Sequence, residues 1–134
     1  VCGAGKEIQV TCFVACLNRS TKEFIFSNSS HTPPLLYSAA QEGLTREHFR
    51  PLIEANGPRL GQKTNSLFVR EALTLKTYDT ILFYTDGLTE AENSEGSRWG
   101  ERRLLKSLMV NGSGSPEQII GGVLQDFKEY TAGR

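Results

Sequence analysis

An excess of charge of either sign is missing from this sequence, in which 15 lysines and arginines are matched by 15 aspartates and glutamates. No overall field draws such a chain to nucleic acid or to anionic lipid, and neither is expected as a partner. Long apolar runs are missing too. The longest, residues 9–17 (QVTCFVACL), is far too short to cross a bilayer. The N-terminus carries no basic, apolar, small-residue leader pattern. A cytoplasmic location with no direct membrane contact is therefore expected.

Cysteine and histidine are scarce. Cys2, Cys12 and Cys16 are the only thiols, and His31 and His48 the only imidazoles. An odd count, with two cysteines inside an apolar run, argues against a disulfide framework. A zinc site would need close Cys or His pairs at short spacing, and besides its cysteines this chain supplies only His31 and His48. Structural, reduced thiols are expected.

What remains is ordinary globular material of one domain's length: 134 residues, 38% hydrophobic and 22% charged. Residues 9–17 are apolar on both alternations, the pattern of a central strand buried on two faces. Asn18 to Lys22 is turn-rich, and residues 23–28 (EFIFSN) read as a second strand, giving a hairpin. After Pro33 and Pro34, Leu35-Leu36-Tyr37 reads as a short edge strand. Residues 38–64, broken by glycine and proline, give no element. Residues 66–73 and 80–85 (TILFYT) read as strands joined by the polar turn Lys76 to Asp79, and residues 88–100 as a loop. Two helices close the chain. The first presents Leu104, Leu105, Leu108 and Met109 and stops at Asn111-Gly112. The second is announced by Ser115 as N-cap, Pro116 at the first helical position and Gln118 completing a capping box. Its apolar stripe is Ile119, Ile120, Val123, Leu124, Phe127 and Tyr130, weakened by Gly121-Gly122 at roughly 1 kcal/mol per glycine. Strands followed by helices, without alternation, indicate an α+β class with antiparallel strands.

The chemistry centres on Asp86-Gly87, directly after the apolar run Ile81 to Tyr84. One reading is a tight hairpin turn, which Asp-Gly favours. The other is a carboxylate held at the end of a buried strand, with glycine letting the backbone turn away, as a ligand for Mg²⁺ or Mn²⁺. Local physics leaves both open. Val1-Cys2-Gly3-Ala4-Gly5-Lys6 contains a Gly-x-Gly segment that lacks the spacing of a P-loop. His31 has no nucleophile or carboxylate at a telling spacing and suits a loop-holding role. Trp99-Gly100 with Arg102-Arg103 reads as a stacking and basic patch for phosphate, or as the start of a helix with a solvated face.

Four segments, in order, resemble bacterial PPM-type phosphatases, relatives of protein phosphatase 2C in the sporulation and stress-response class. Residues 27–37 (SNSSHTPPLLY) resemble the family's Asn-Ala-Gly-His-x-Pro-Pro-Leu-Leu, and residues 57–61 (GPRLG) its Leu-Pro-Leu-Gly turn. Residues 78–93 (YDTILFYTDGLTEAEN) are similar to Gly-Asp-x-Leu-Leu-Leu-Tyr-Thr-Asp-Gly-Val-Thr-Glu-Ala, and residues 98–105 (RWGERRLL) to the Phe-Gly-x-Glu-Arg-Leu that follows. Residues 1–8 (VCGAGKEI) resemble Gly-Asp-Val-Ser-Gly-His-Gly, starting just after its aspartate.

The resemblance implies an αββα sandwich, two antiparallel sheets flanked by helices, here in an incomplete copy. It implies hydrolysis of phosphoserine or phosphothreonine with two Mn²⁺ or Mg²⁺ ions. Asp86 becomes a metal ligand and Val1 a ligand through its backbone carbonyl, with Gly87, Gly3, Gly5 and His31 supporting the site. The implied partner is a phosphorylated regulatory protein of the anti-sigma-factor antagonist type. A sensor domain N-terminal to this one, a membrane anchor elsewhere in the protein and a homodimer are all compatible with the family. Residues 1–134 read as one phosphatase domain that lacks segments before residue 1, between residues 8 and 9, and after residue 134. A degenerate, non-catalytic scaffold of the same fold is the alternative.

Overall fold

Residues 8–132 are described by the computed structural model. Its first strands, β1 (Cys12–Leu17) and β2 (Glu23–Ser29), form the antiparallel hairpin the sequence predicts, with Cys12 opposite Ser29 and Leu17 opposite Phe24. The turn is built by Asn18, whose side-chain oxygen accepts from the amides of Ser20 and Thr21 at 3.0 and 3.1 Å. Lys22 closes it with φ +61°, a left-handed conformation that short turns require.

The chain divides into two units. The first takes residues up to Pro34 together with Pro51–Thr77. In it β2 is the central strand. It pairs with β1 on one side, with β6 (Glu71–Thr74) antiparallel, and with the two-residue β5 (Asn56–Gly57) in parallel. The parallel pairing departs from the all-antiparallel expectation. Alternation along β2 is clean: Phe24, Phe26 and Asn28 are buried, while Ile25 and Ser27 are only partly covered. Phe13 stacks on Phe26 with centroids 5.6 Å apart, and Leu52 and Ala55 are fully buried. β1 itself is an edge strand whose last four residues are exposed. The two-faced burial expected of residues 9–17 is thus corrected, because apolarity on both alternations does not tell an edge strand from a central one. Of the strand expected over 66–73 only the end forms; Leu67, Phe68 and Val69 are exposed and outside any strand.

The second unit takes Leu35–Arg50 and the residues from Tyr78 onward. Its sheet has the order β4-β3-β7, where β3 is Leu35–Ser38, β4 is Arg50–Pro51 and β7 is Asp79–Leu82. β3 is therefore interior to its sheet and not at an edge, since the two prolines that suggested an edge lie before the strand and leave its ladder intact. Three helices follow: α1 (Asp86–Glu90), α2 (Gly100–Asn111) and α3 (Pro116–Thr131). Strands come first and helices after, which is the α+β arrangement. The core joins Leu35 and Tyr37 of the sheet to Leu104, Leu105 and Leu108 of α2 and to Ile119 and Val123 of α3. Leu44 and Phe49 also enter it, from a stretch with no periodic signal. Ile120 and Leu124 lie off the buried stripe and are exposed.

The Ser115-Gln118 capping box forms as expected. Gly112 stops α2 where a Cβ would meet Leu44 and Tyr37 at 3.0 and 3.2 Å. Between α2 and α3 runs a polar contact that hydrophobic patterning does not show. Ser107, on the buried side of α2, donates to the Asp126 carboxylate, which also accepts from the Asn111 amide at 3.1 Å. Asn111 lies against Gly122, where any side chain would collide with it. Gly121 has open space around it.

The two adjacent glycines should therefore respond oppositely to alanine. Gly122→Ala is expected to cost about 1–3 kcal/mol by overpacking, whereas Gly121→Ala should gain about 0.5–1 kcal/mol from helix propensity. Denaturant midpoints of the two variants check this.

Candidate functional site

β7 emerges half-buried and passes through Phe83-Tyr84-Thr85 into α1. Thr85 takes the N-cap position in extended conformation, and its carbonyl accepts from the Leu88 amide at 3.1 Å. Asp86 is the first residue of α1 and is exposed. The first turn of a helix is a favourable place for negative charge. The Asp86 carbonyl accepts from the Thr89 hydroxyl at 3.1 Å. The hairpin-turn reading of Asp86-Gly87 is thereby excluded. Gly87 is helical, with no positive φ, and a Cβ there would touch only Thr85 Oγ1 at 3.4 Å. Its expected role of letting the chain turn away is corrected: the turn is the change from strand to helix, made at Thr85.

Residues 88–100, expected as a plain loop, are more ordered in shape. α1 runs to Glu90, and a tight turn follows in which Asn93 Oδ1 accepts from the amides of Glu95 and Ser97 at 3.1 and 2.9 Å. Glu92 and Arg98 pair across it. The exposed Glu90–Arg98 ion pair, at 3.4 Å, adds little. Trp99 anchors the segment. It is 2% exposed, meets Phe127 edge-on at 5.5 Å, and its backbone amide donates to Ala91 at 2.7 Å. Tyr130 donates from its hydroxyl to the carbonyls of Ser97 and Arg98 at 3.0 and 3.2 Å, and Arg103 lies over the Tyr130 ring at 4.3 Å. Trp99 is thus a core residue at the start of a helix, unavailable for stacking on a ligand. Tyr84 is half-buried; burial and then the Glu101 carboxylate push its phenol above the usual range. Burial does the same to Tyr37, whose hydroxyl donates to Gly112 at 3.0 Å.

The His31 segment belongs to the first unit. His31 Nδ1 lies 3.0 Å from the Thr32 carbonyl, and the ring is partly buried. The residue that holds this loop is Asn28, which sequence reasoning missed. It is 1% exposed; its Oδ1 accepts from the His31 amide at 2.8 Å and its Nδ2 donates to the His31 carbonyl at 2.9 Å. The available signal was its place as the asparagine of the Asn-Ala-Gly-His stretch. Val1, Gly3 and Gly5 lie outside the described residues, as does Cys2. Cys12 and Cys16 are free, one half-buried and one exposed.

Two departures from the family motifs fall on unusual backbone. Ser30 stands where the motif has glycine before histidine, and its φ is +56°. Tyr78 stands where the motif has glycine before aspartate, and its φ is +69°. Both angles lie in the region that glycine occupies without steric cost. Ser30 gains a partner in exchange, donating to the Gly57 carbonyl at 2.8 Å. The Tyr78 side chain is 68% exposed.

Asp86 offers a hard oxygen donor suited to Mg²⁺ or Mn²⁺. Among the described residues, no group of three or more His, Cys, Asp or Glu side chains converges on one point, so they form no complete metal site by themselves. No helix among them is long and apolar enough to cross a membrane.

Two sheets, the strand-to-helix passage at Thr85-Asp86 and the motif segments match part of a PP2C-like domain fold. The chain belongs to the Stage II sporulation protein E (SpoIIE) family, whose model matches residues 4–134. It is similar to the RsbU and RsbW domains of Rv1364c from Mycobacterium tuberculosis, with a TM-score of 0.69, 26% identity, and 90% of this chain and 32% of that one covered. The SiaA-PP2C domain of Pseudomonas aeruginosa shares the fold at TM-score 0.69 and 17% identity, over 92% of this chain and 46% of that one. Protein IcfG of Synechocystis sp. (strain ATCC 27184 / PCC 6803 / Kazusa) is 26% identical over 107 residues, 80% of this chain and 16% of that protein. The chain spans less than half the length of each of these relatives.

Replacing Asn28 by alanine should cost about 2–3 kcal/mol, because it strips two partners from a largely buried loop. His31→Ala should cost about 1 kcal/mol or less, since among the described residues the ring's hydrogen-bond partner is its neighbour's carbonyl. Tyr78→Gly should stabilise by about 1 kcal/mol through relief of the left-handed backbone. Thermal and denaturant unfolding of the three variants separates these outcomes.

Proposed function

We propose that the domain is a metal-dependent protein phosphatase acting on phosphoserine or phosphothreonine of a regulatory protein of the anti-sigma-factor antagonist type. The observation that carries this reading is the Tyr84-Thr85-Asp86-Gly87 block, which ends in an exposed carboxylate at the first turn of α1 in a chain of the SpoIIE family. Two Mn²⁺ or Mg²⁺ ions, when bound, would supply charge for the phosphate and an acidified water as nucleophile. Asp86 would hold one of them. Thr85 fixes where that carboxylate stands, and the buried Trp99 keeps α1 and α2 in register behind it. The Val1 carbonyl, Gly3, Gly5 and His31 retain the site roles that the family resemblance gives them. The remaining ligands belong, in this reading, to further segments of a longer protein, as the partial cover of the relatives named above supports.

The reading is tested on the protein from the complete coding sequence, with p-nitrophenyl phosphate and added Mn²⁺ or Mg²⁺. Asp86→Asn keeps the shape but removes a full negative charge from the metals. It is expected to lower kcat/KM on the order of 100-fold and to weaken Mn²⁺ binding in calorimetric titration. A variant equal to the parent in both would remove Asp86 from the site. A parent with no metal-dependent turnover would leave the non-catalytic scaffold.

A further inference from the structure

α2 carries no cation at the end that favours one. Arg102 and Arg103 stand in its first turn beside Glu101, and Lys106 near its middle, while its last turn has no basic residue. The helix start is the positive pole, so cations are better placed at the other end. They also repel one another, because Arg102 and Lys106 are four residues apart and Arg103 and Lys106 three, spacings at which side chains on a helix are neighbours. All three are exposed. Among the described residues Arg102 and Lys106 have no hydrogen bond or ion pair. Arg103 is engaged, donating to the carbonyls of Arg98 and Trp99 at 3.3 Å and lying over Tyr130.

These side chains frame two recesses in the second unit. One, of about 260 Å³, is lined by Arg102, Arg103 and Lys106 alone. The other, of about 320 Å³, has Arg103 and Lys106 beside Val110 and Tyr130. Asp126 is the single carboxylate in either recess, and it already accepts from Ser107 and Asn111. In a chain of zero net charge, this is a local positive field kept against the preference of its own helix. Such conflicts with local rules concentrate at functional surfaces.

We propose that Arg102 and Lys106 form a docking surface for acidic residues flanking the phosphorylated residue of the partner protein. The proposal rests on the phosphatase reading above and adds the charge of the partner's flanking sequence to it. Charge of this kind, exposed and outside the reacting groups, acts on encounter and on choice of partner and is screened by salt.

The test uses the protein from the complete coding sequence and two phosphoserine peptides, one flanked by glutamates and one by lysines. The parent is expected to prefer the glutamate peptide by about tenfold in kcat/KM at low salt, with the preference shrinking at high ionic strength. R102E/K106E should lose or invert that preference while hydrolysing p-nitrophenyl phosphate as the parent does. The milder R102Q/K106Q should lie between them, and serves if the reversal impairs folding. Equal preference in parent and variants overturns the docking surface and leaves the phosphatase reading standing. If the parent turns over none of the substrates, the phosphatase reading fails, and fluorescence anisotropy with the same peptides decides docking. Tighter binding of the glutamate peptide to the parent than to R102E/K106E supports it, and equal binding overturns it.

Discussion

The burial of Trp99 is the constraint on which the second unit depends. Its indole lies edge-on to Phe127 of α3, and its backbone amide reaches back to Ala91 at the end of α1. One residue thus fixes the exit of α1, the start of α2 and the position of α3. A fully buried side chain of this size contributes about 3–5 kcal/mol, a large share of the roughly 5–15 kcal/mol that holds a domain folded. Gly100, with φ +75°, lets the chain turn from the indole directly into α2. Arg103 and Tyr130 then close over the segment from outside. The acidic stretch after Asp86 keeps a defined course because its far end is tied into the core.

Where local chemistry was strong, the fold was legible. The capping box at Ser115 and Gln118, the Asn111-Gly112 stop and the first hairpin all appear where their residues place them. Leu44, Phe49, Leu52 and Ala55 were not legible, although each is buried. They come from short irregular segments, where burial follows from the path of the chain and leaves no period to read. The same holds for Asn28, whose amide bonds to a loop and follows no repeat. Position along an alternating strand says which residues share a face, but not which neighbours cover that face. That is why β1 proved to be an edge and β3 interior. Local physics left Asp86 open between a turn and a metal ligand; the helix that starts there removes the turn, and the ligand reading rests on the motif around it.

Ser30 and Tyr78 show how a shared fold tolerates loss of its preferred residues. Each stands where the family motif has glycine, on left-handed backbone. The surrounding pairing holds the conformation: Ala39 donates to the Tyr78 carbonyl at 2.9 Å, beside the β3–β7 ladder. Tertiary structure here overrides residue preference.

The two units are interleaved along the chain, because Leu35–Arg50 departs to the second unit and Pro51–Thr77 returns to the first. Neither is a continuous piece of polypeptide. Leu35 must find Leu82, and Phe26 must find Glu71, before either sheet is complete. Such pairings are made late and slowly, after the entropy of closing long loops has been overcome. Neither unit can be released by a single proteolytic cut or inherited alone through a simple gene fusion. For this chain recombination has to exchange both units together, so the segment carrying Asn28 and the segment carrying Asp86 travel as one evolutionary package.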